Sequence, residues 1–198
     1  GIGYPRASFD AAMAFGPDFI ACDAGSADWG PYYLGSGEPW AGYYQTRRDL
    51  EPLVLGAREA DIPLLIGTAG MSGSDGSVDW TCSILEDIAR DHGLSFRVAR
   101  IYAEQQPDYL EQALADGRIS AFDGIDELTP ETIRGATRVV AMMGPEPYQR
   151  ALAEGAQVVI AGRSSDAAVY AAVPLDRGIP PEVAWHMGKI TECGPAIA

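Results

Sequence analysis

The chain has 198 residues, 47% hydrophobic and 21% charged, with a net charge of −14 from 28 Asp and Glu against 14 Lys and Arg. That composition is globular and sufficient for one ordinary domain with its own core, while the acid excess repels phosphate backbones and anionic membranes, against nucleic acid and membrane as partners. No apolar run reaches the roughly 20 residues that span a bilayer, and three scattered cysteines (Cys22, Cys82, Cys193) argue against a disulfide framework or a cysteine zinc site and for a reducing cytoplasm.

After Gly1-Ile2-Gly3-Tyr4-Pro5, Ser8 is placed to cap a short helix through Phe15, stopped by Gly16-Pro17. Residues 18–23 read as the first strand, ending in the polar stretch Asp23-Ala24-Gly25-Ser26-Ala27-Asp28. Residues 29–44 hold Trp29, Tyr32, Tyr33, Trp40, Tyr43 and Tyr44 with little periodicity, and read as an aromatic-rich loop that packs on a sheet edge or a neighbouring subunit, or stacks on a ligand. Leu50, Leu53, Val54, Ala57 and Ala60 then form a helical stripe, with Pro52 expected in the first turn.

Residues 63–66 make the next strand, and residues 67–77 follow as the most glycine-rich stretch of the chain. Its glycines allow close backbone approach, and the helix beginning near Val78 would offer N–H donors to an anion. The stretch is neither a P-loop nor a dinucleotide fingerprint. Further strands are expected over residues 95–102, 138–143 and 157–161, and helices over 107–115, from Pro130 behind its Thr129 cap, and over 145–155. Strands and helices alternate as right-handed crossovers require, so residues 1–198 read as a single α/β domain. Its sheet would be mostly parallel with helices on both faces, a Rossmann-like three-layer sandwich.

The strand at 157–161 delivers Gly162-Arg163-Ser164-Ser165-Asp166 to the first turn of an Ala-rich helix. Ligands of open α/β sheets bind outside the carboxyl ends of the strands, which is where these polar residues stand. The alternative is local: Ser165 or Asp166 caps the helix and Arg163 pairs with Asp166. A last helix is expected over residues 180–194, opened by proline and stopped by Gly194, and it carries His186, Lys189 and Cys193 on one face, beside an apolar stripe of Val183, Met187 and Ile190.

Gly3-Tyr4-Pro5, Asp23-Ala24-Gly25-Ser26 with Gly30-Pro31-Tyr32-Tyr33-Leu34-Gly35, Gly67-Thr68-Ala69-Gly70 with Asp79-Trp80, Gly162-Arg163-Ser164-Ser165-Asp166, and His186 through Gly194 together resemble the acyclic terpene utilisation (AtuA-like) family. The resemblance implies the N-terminal portion of a longer family protein and a link to breakdown of acyclic terpenes. It implies no residue roles.

The function expected from these residues is catabolic: an enzyme acting on a carboxylate or acyl-CoA-like substrate, in a lyase or hydratase step. Proton transfer falls to Asp23, Asp166, His186, Lys189 and Glu192. Substrate binding falls to Gly25, Ser26, Asp28, Gly67, Thr68, Gly70, Gly73, Asp75, Ser164, Ser165 and above all Arg163, whose guanidinium suits a carboxylate. No cofactor is evident; a divalent metal is conceivable among Asp23, Asp28, Asp75 and Asp166. The alternative is a non-catalytic ligand-binding or scaffolding subunit. Expected partners are a small-molecule carboxylate or acyl-CoA, further copies of the chain, and a small partner subunit or a C-terminal half.

Overall fold

The apolar runs become one parallel sheet, with β1 (Ile20–Gly25), β2 (Leu64–Met71), β3 (Val98–Ile101) and β4 (Val158–Ala161) in the spatial order β1-β2-β4-β3. The computed structural model describes residues 3–25, 30–192 and 194, and all counts refer to these. Around the sheet lie α1 (Arg6–Ala14), α2 (Gly30–Ser36), α3 (Tyr43–Glu59), α4 (Asp75–Asp91), α5 (Pro107–Ala115), α6 (Pro130–Gly135), α7 (Glu146–Ala153), α8 (Asp166–Asp176) and α9 (Pro181–Glu192).

Strand side chains alternate between faces, so one strand serves two cores. Leu64, Ile66, Val158 and Ile160 pack with Val54 of α3 and Ile84 and Ile88 of α4. Leu65, Val159 and Ala161 pack on the opposite face with Tyr148 of α7 and Val169 and Val173 of α8. Burial on both sides is why these strands read as unbroken apolar runs. The result is a three-layer α/β sandwich.

The connections β1→β2 and β2→β3 advance in one direction across the sheet, and β3→β4 steps back. Right-handed crossovers therefore put α3 and α4 on one face and α7 on the other. The reversal falls between the neighbouring strands β2 and β4, whose carboxyl ends flank the crevice where such sheets hold ligands.

Several local expectations give way to tertiary packing. The stretch expected as an aromatic loop contains α2 and the start of α3, while Trp29 lies outside the described residues. Arg138 donates to the carbonyls of Leu34 and Gly35 at the end of α2, at 3.0 and 2.7 Å, a distant cap that residues 29–44 do not encode. Because α3 begins at Tyr43, Pro52 lies in its interior. Burial of Leu50, Val54 and Ala57 holds the helix on both sides of the missing N–H. The first helix begins at Arg6 behind Pro5, with Ser8 inside it.

Residues 138–143 form bridges rather than a strand: Glu104 with Val140, and Met143 with Ser164. Their backbone bonds go to loops beyond β3 and β4, as in Gln105 N–H to Val139 and Met143 N–H to Arg163. The last helix turns away the stripe expected inside. Ala184 and Gly188 face the core, and Val183 and Ile190 are exposed.

Candidate functional site

At the carboxyl edge of the sheet β2 does not end cleanly. It pairs Asp23 with Gly67 and next Gly25 with Met71, so extra residues bulge out of the ladder between them. Thr68 and Met71 take positive φ values of 47° and 93° there, a costly conformation for side chains with a Cβ. Thr68 is held by its surroundings: its N–H donates to Gly162 at 3.1 Å, and its hydroxyl oxygen accepts from the Ser164 N–H at 3.2 Å. Ser164 in turn shares a 2.6 Å hydrogen bond with the Tyr148 hydroxyl, both fully buried. A side chain on Gly73 would collide with the Arg163 backbone, and its own φ of +71° favours glycine. The glycine-rich stretch is thus stitched onto β4 at the switch point.

That stitching consumes donors. The N–H groups of Gly73, Asp75 and Ser77 go to the Ala69 carbonyl, the Glu104 carboxylate and the Ser74 hydroxyl. Asp75 accepts from the N–H groups of Ala103 and Glu104, both at 3.0 Å, and so ties α4 to the end of β3. Gly70, at φ +71°, accepts the Trp40 N–H through its carbonyl at 3.3 Å. Residues 67–77 are in this structure chiefly a clamp between strands.

Three carboxylates meet beside the clamp. Asp23 comes from the end of β1, Asp166 from the first residue of α8 and Glu192 from the last of α9, with oxygens within 4.8 Å of one another. Two close approaches bring them together. Gly67 makes room for Val169 of α8 against β2. Gly188 lets α9 lie on α8, where an added Cβ would stand 2.7 Å from the Ala167 carbonyl oxygen. Glu192, one turn further along α9, then lies over the start of α8.

Asp166 sits in a first helical turn, where the helix dipole favours a carboxylate. Ser165 holds the N-cap position without a side-chain capping bond. Arg163 and Asp166 form no ion pair among the described residues, so the local alternative of cap and salt bridge is not what the chain builds. Asp23 bears the electrostatic consequence of the cluster. Burial pushes its carboxyl up from 3.8 to about 6, and the Asp166 charge pushes the same way. The Gly25 N–H, the Arg163 guanidinium and the Thr68 side chain pull against them. Such a group changes protonation close to neutrality.

Arg163 is only 8% exposed, and its charge acts on the Asp23 carboxyl. A buried cation of that kind suits a planar anion such as a carboxylate. Lys189 pairs with Glu192 at 2.6 Å and reaches the cluster through it. His186 is exposed, because it lies about half a turn round α9 from the Ala184 and Gly188 seam. It does not join the carboxylates. Ser26, Asp28 and Cys193 lie outside the described residues.

Oxygen ligands at this spacing could also hold a hard divalent cation. The cluster's charge is equally offset by a proton on Asp23 and by the neighbouring cations. Cys22 and Cys82 are free, and burial pushes each thiol up to about 11, which keeps them from acting as thiolates.

Sequence reading passed over two side chains of the site. Tyr170 accepts the Asp23 N–H at 3.1 Å through its hydroxyl oxygen, and Tyr148 anchors Ser164. For Tyr170 the available signal is a tyrosine inside the otherwise apolar run of α8, since a buried phenol needs a polar partner, whereas Tyr148 lies in a polar helix that carries no such signal. On the α3/α4 side of the same strand ends lies a cavity of about 360 Å³ that Asp23 and Gly25 also line.

A family model described as acyclic terpene utilisation family protein AtuA matches residues 36–176. The match takes in Arg163 and Asp166 and leaves Asp23 and Glu192 outside it. No curated protein and no solved structure matches the chain.

Proposed function

The chain belongs to the acyclic terpene utilisation family AtuA, and from that premise we propose that it is a catabolic enzyme acting on the carboxyl or acyl-thioester end of an acyclic terpenoid substrate. The reaction class is a lyase or hydratase step, in which a proton moves to or from the carbon beside the carbonyl. The observation that carries this reading is Asp23, whose carboxyl titrates near 6 at the meeting point of three carboxylates, with the buried Arg163 beside it.

In this reading Arg163 holds the substrate's carboxylate or polarised carbonyl, and Asp23 takes or gives the proton. Asp166 tunes Asp23, because its negative charge makes the neighbouring carboxyl more basic. Glu192, neutralised in part by Lys189, orients the second reacting group or a water. Thr68 and the Tyr170 hydroxyl fix Asp23 from below.

The experiment is turnover of a branched unsaturated acid and of its CoA thioester, followed by gain or loss of water in the product mass. Arg163→Ala and Asp166→Asn are expected to lower the rate by roughly 10²–10⁴-fold while unfolding curves stay close to wild type. Wild-type rates in both variants would end this assignment.

The competing reading, a non-catalytic binding or scaffolding subunit, rests on the exposed Tyr32 and Tyr44, which project from α2 and the start of α3. Light scattering tests it: activity in a strictly monomeric chain removes it.

A further inference from the structure

The sheet has two open edges, and they differ in how they are guarded. β3 carries Arg100, which pairs with Asp79 at 3.1 Å and Glu86 at 2.6 Å, and charge on an edge discourages a further strand. β1 carries no charge before Asp23. The Ile20 N–H donates to the Pro63 carbonyl at 2.9 Å, within the parallel register of β1 on β2. Backbone groups of successive strand residues turn to opposite sides, so Ala21 and Asp23 turn theirs away from β2. The Asp23 N–H follows that direction, since it meets the Tyr170 hydroxyl.

Helices on both faces reach past this edge. On one face α8 packs on β1 and β2, with α7 on one flank and α9 on the other. Glu192 of α9 meets Asp23, which puts α9 on the β1 side of α8. Trp185 shares the Glu192 side of α9, two turns earlier, and is 37% exposed. On the other face α3 has α4 on one flank and takes Phe9 and Met13 of α1 against Gly56 on the other. Ala11, Ala12 and the C-cap Phe15 of α1 are exposed.

A second copy of the sheet would drive its own helix layers into α1 and α9, whereas a lone strand fits between them. The two faces of such a strand meet α1 and Trp185, so both call for apolar residues. The carboxyl end of the edge gathers Asp23, Asp166 and Glu192 on a chain of net charge −14, and that charge favours a basic visitor. We propose that the outer edge of β1 takes up one extended strand of a partner protein, about six residues long like β1 itself, apolar on both faces and basic at its ends. Main-chain bonds to Ala21 give the affinity, and the helix-lined faces give the selectivity. The inference is independent of the reaction assigned to Asp23.

Amide exchange followed by NMR tests it, with a short peptide of valine, isoleucine and threonine that has a lysine at each end. The peptide is expected to slow exchange of the Ala21 amide by about tenfold or more. The Val98 amide, on the outward side of β3, should keep its rate. Methylating alternate backbone nitrogens of the peptide should abolish binding in one phase and leave it in the other, because only one side of an added strand faces β1. Glutamate in place of the terminal lysines should weaken binding by about fivefold. Ala21→Pro removes the donor without touching the ladder to β2, since proline is tolerated where an edge N–H faces outward, and it should abolish docking. Trp185→Ala should weaken binding by about tenfold, and it gives the answer should Ala21→Pro fail to fold.

An Ala21 rate unmoved by millimolar peptide, equal binding of both methylated peptides, or unchanged binding in a folded variant overturns the proposal. Slowing at Val98 in place of Ala21 would move the docking to β3 and overturns it as well. Protection of Ala21 that grows with protein concentration alone assigns the edge to a second copy, which likewise overturns it.

Discussion

Asp23 is the residue on which the proposed chemistry turns, and its stability cost makes it testable apart from any substrate. Its folded value, about 6, lies above the ordinary 3.8. Between the two the folded chain keeps a proton that the unfolded chain has released, so folding is favoured most below 3.8 and loses that contribution as pH rises through 6. Above 6 the charged form is paid for in full, at most about 3 kcal/mol for a shift of this size. Asp23→Asn removes the titration. Thermal melts should therefore show the variant gaining stability over wild type between pH 4 and pH 6, with a constant advantage above. Carbon NMR of the Asp23 carboxyl gives the matching result: Asp166→Asn should lower its midpoint and Arg163→Ala should raise it. No movement in either variant would mean that the three groups are not coupled.

The elements that carry these residues are held by close contacts at glycine, and α9 depends on one of them. Gly188 faces Ala167 of α8 across the seam that begins at Ala184, so a branched side chain there must lift the helix. Gly188→Val is expected to cost about 1–3 kcal/mol in denaturant melts, the usual penalty for overpacking. It should also draw the Asp23 midpoint down, because Glu192 and the covering helix move away. A stable variant with an unchanged midpoint would show that α9 plays no part in the cluster. A helix over residues 180–194 is legible in the sequence, with Glu192 among the candidate site residues, and the structure bounds it at Pro181–Glu192. The apolar stripe that the sequence shows is Val183, Met187 and Ile190, of which Val183 and Ile190 are exposed. The contact is made instead by small residues, where backbone approach decides the packing.

For the molecule as a whole, the charge of −14 spreads a self-repulsion that surface ion pairs such as Arg100 with Asp79 and Glu86 relieve only locally. Screening reduces repulsion across the whole surface. Raising monovalent salt from about 10 mM to about 150 mM shortens the Debye length from about 30 Å to about 8 Å. The melting temperature should rise over that range, and a fall would show that the ion pairs outweigh the net charge. Among the described residues no helix is long and apolar enough to cross a membrane.

The α/β fold class, the existence of β1, β2 and β4 and the Thr129-Pro130 helix start are legible in the sequence, although β1 runs over Ile20–Gly25 where 18–23 is expected and β2 over Leu64–Met71 where 63–66 is expected. Each depends on neighbours a few residues away: an apolar run buried on two faces, a hydroxyl beside an orphan N–H. Asp23, Arg163 and Asp166 are also legible as polar residues at strand ends, and Glu192 as an acid near His186 and Lys189 on the last helix. Only the folded chain brings the carboxylates of Asp23, Asp166 and Glu192 to one spot, from the end of β1, the start of α8 and the end of α9. It decided that His186 stays outside, that residues 67–77 clamp two strands, and that Trp40 and Trp80 wall one cavity. Those outcomes follow from strand order, from the φ values at Thr68 and Gly73 and from the fit at Gly67 and Gly188. Such contacts join residues far apart in sequence, so no local pattern encodes them.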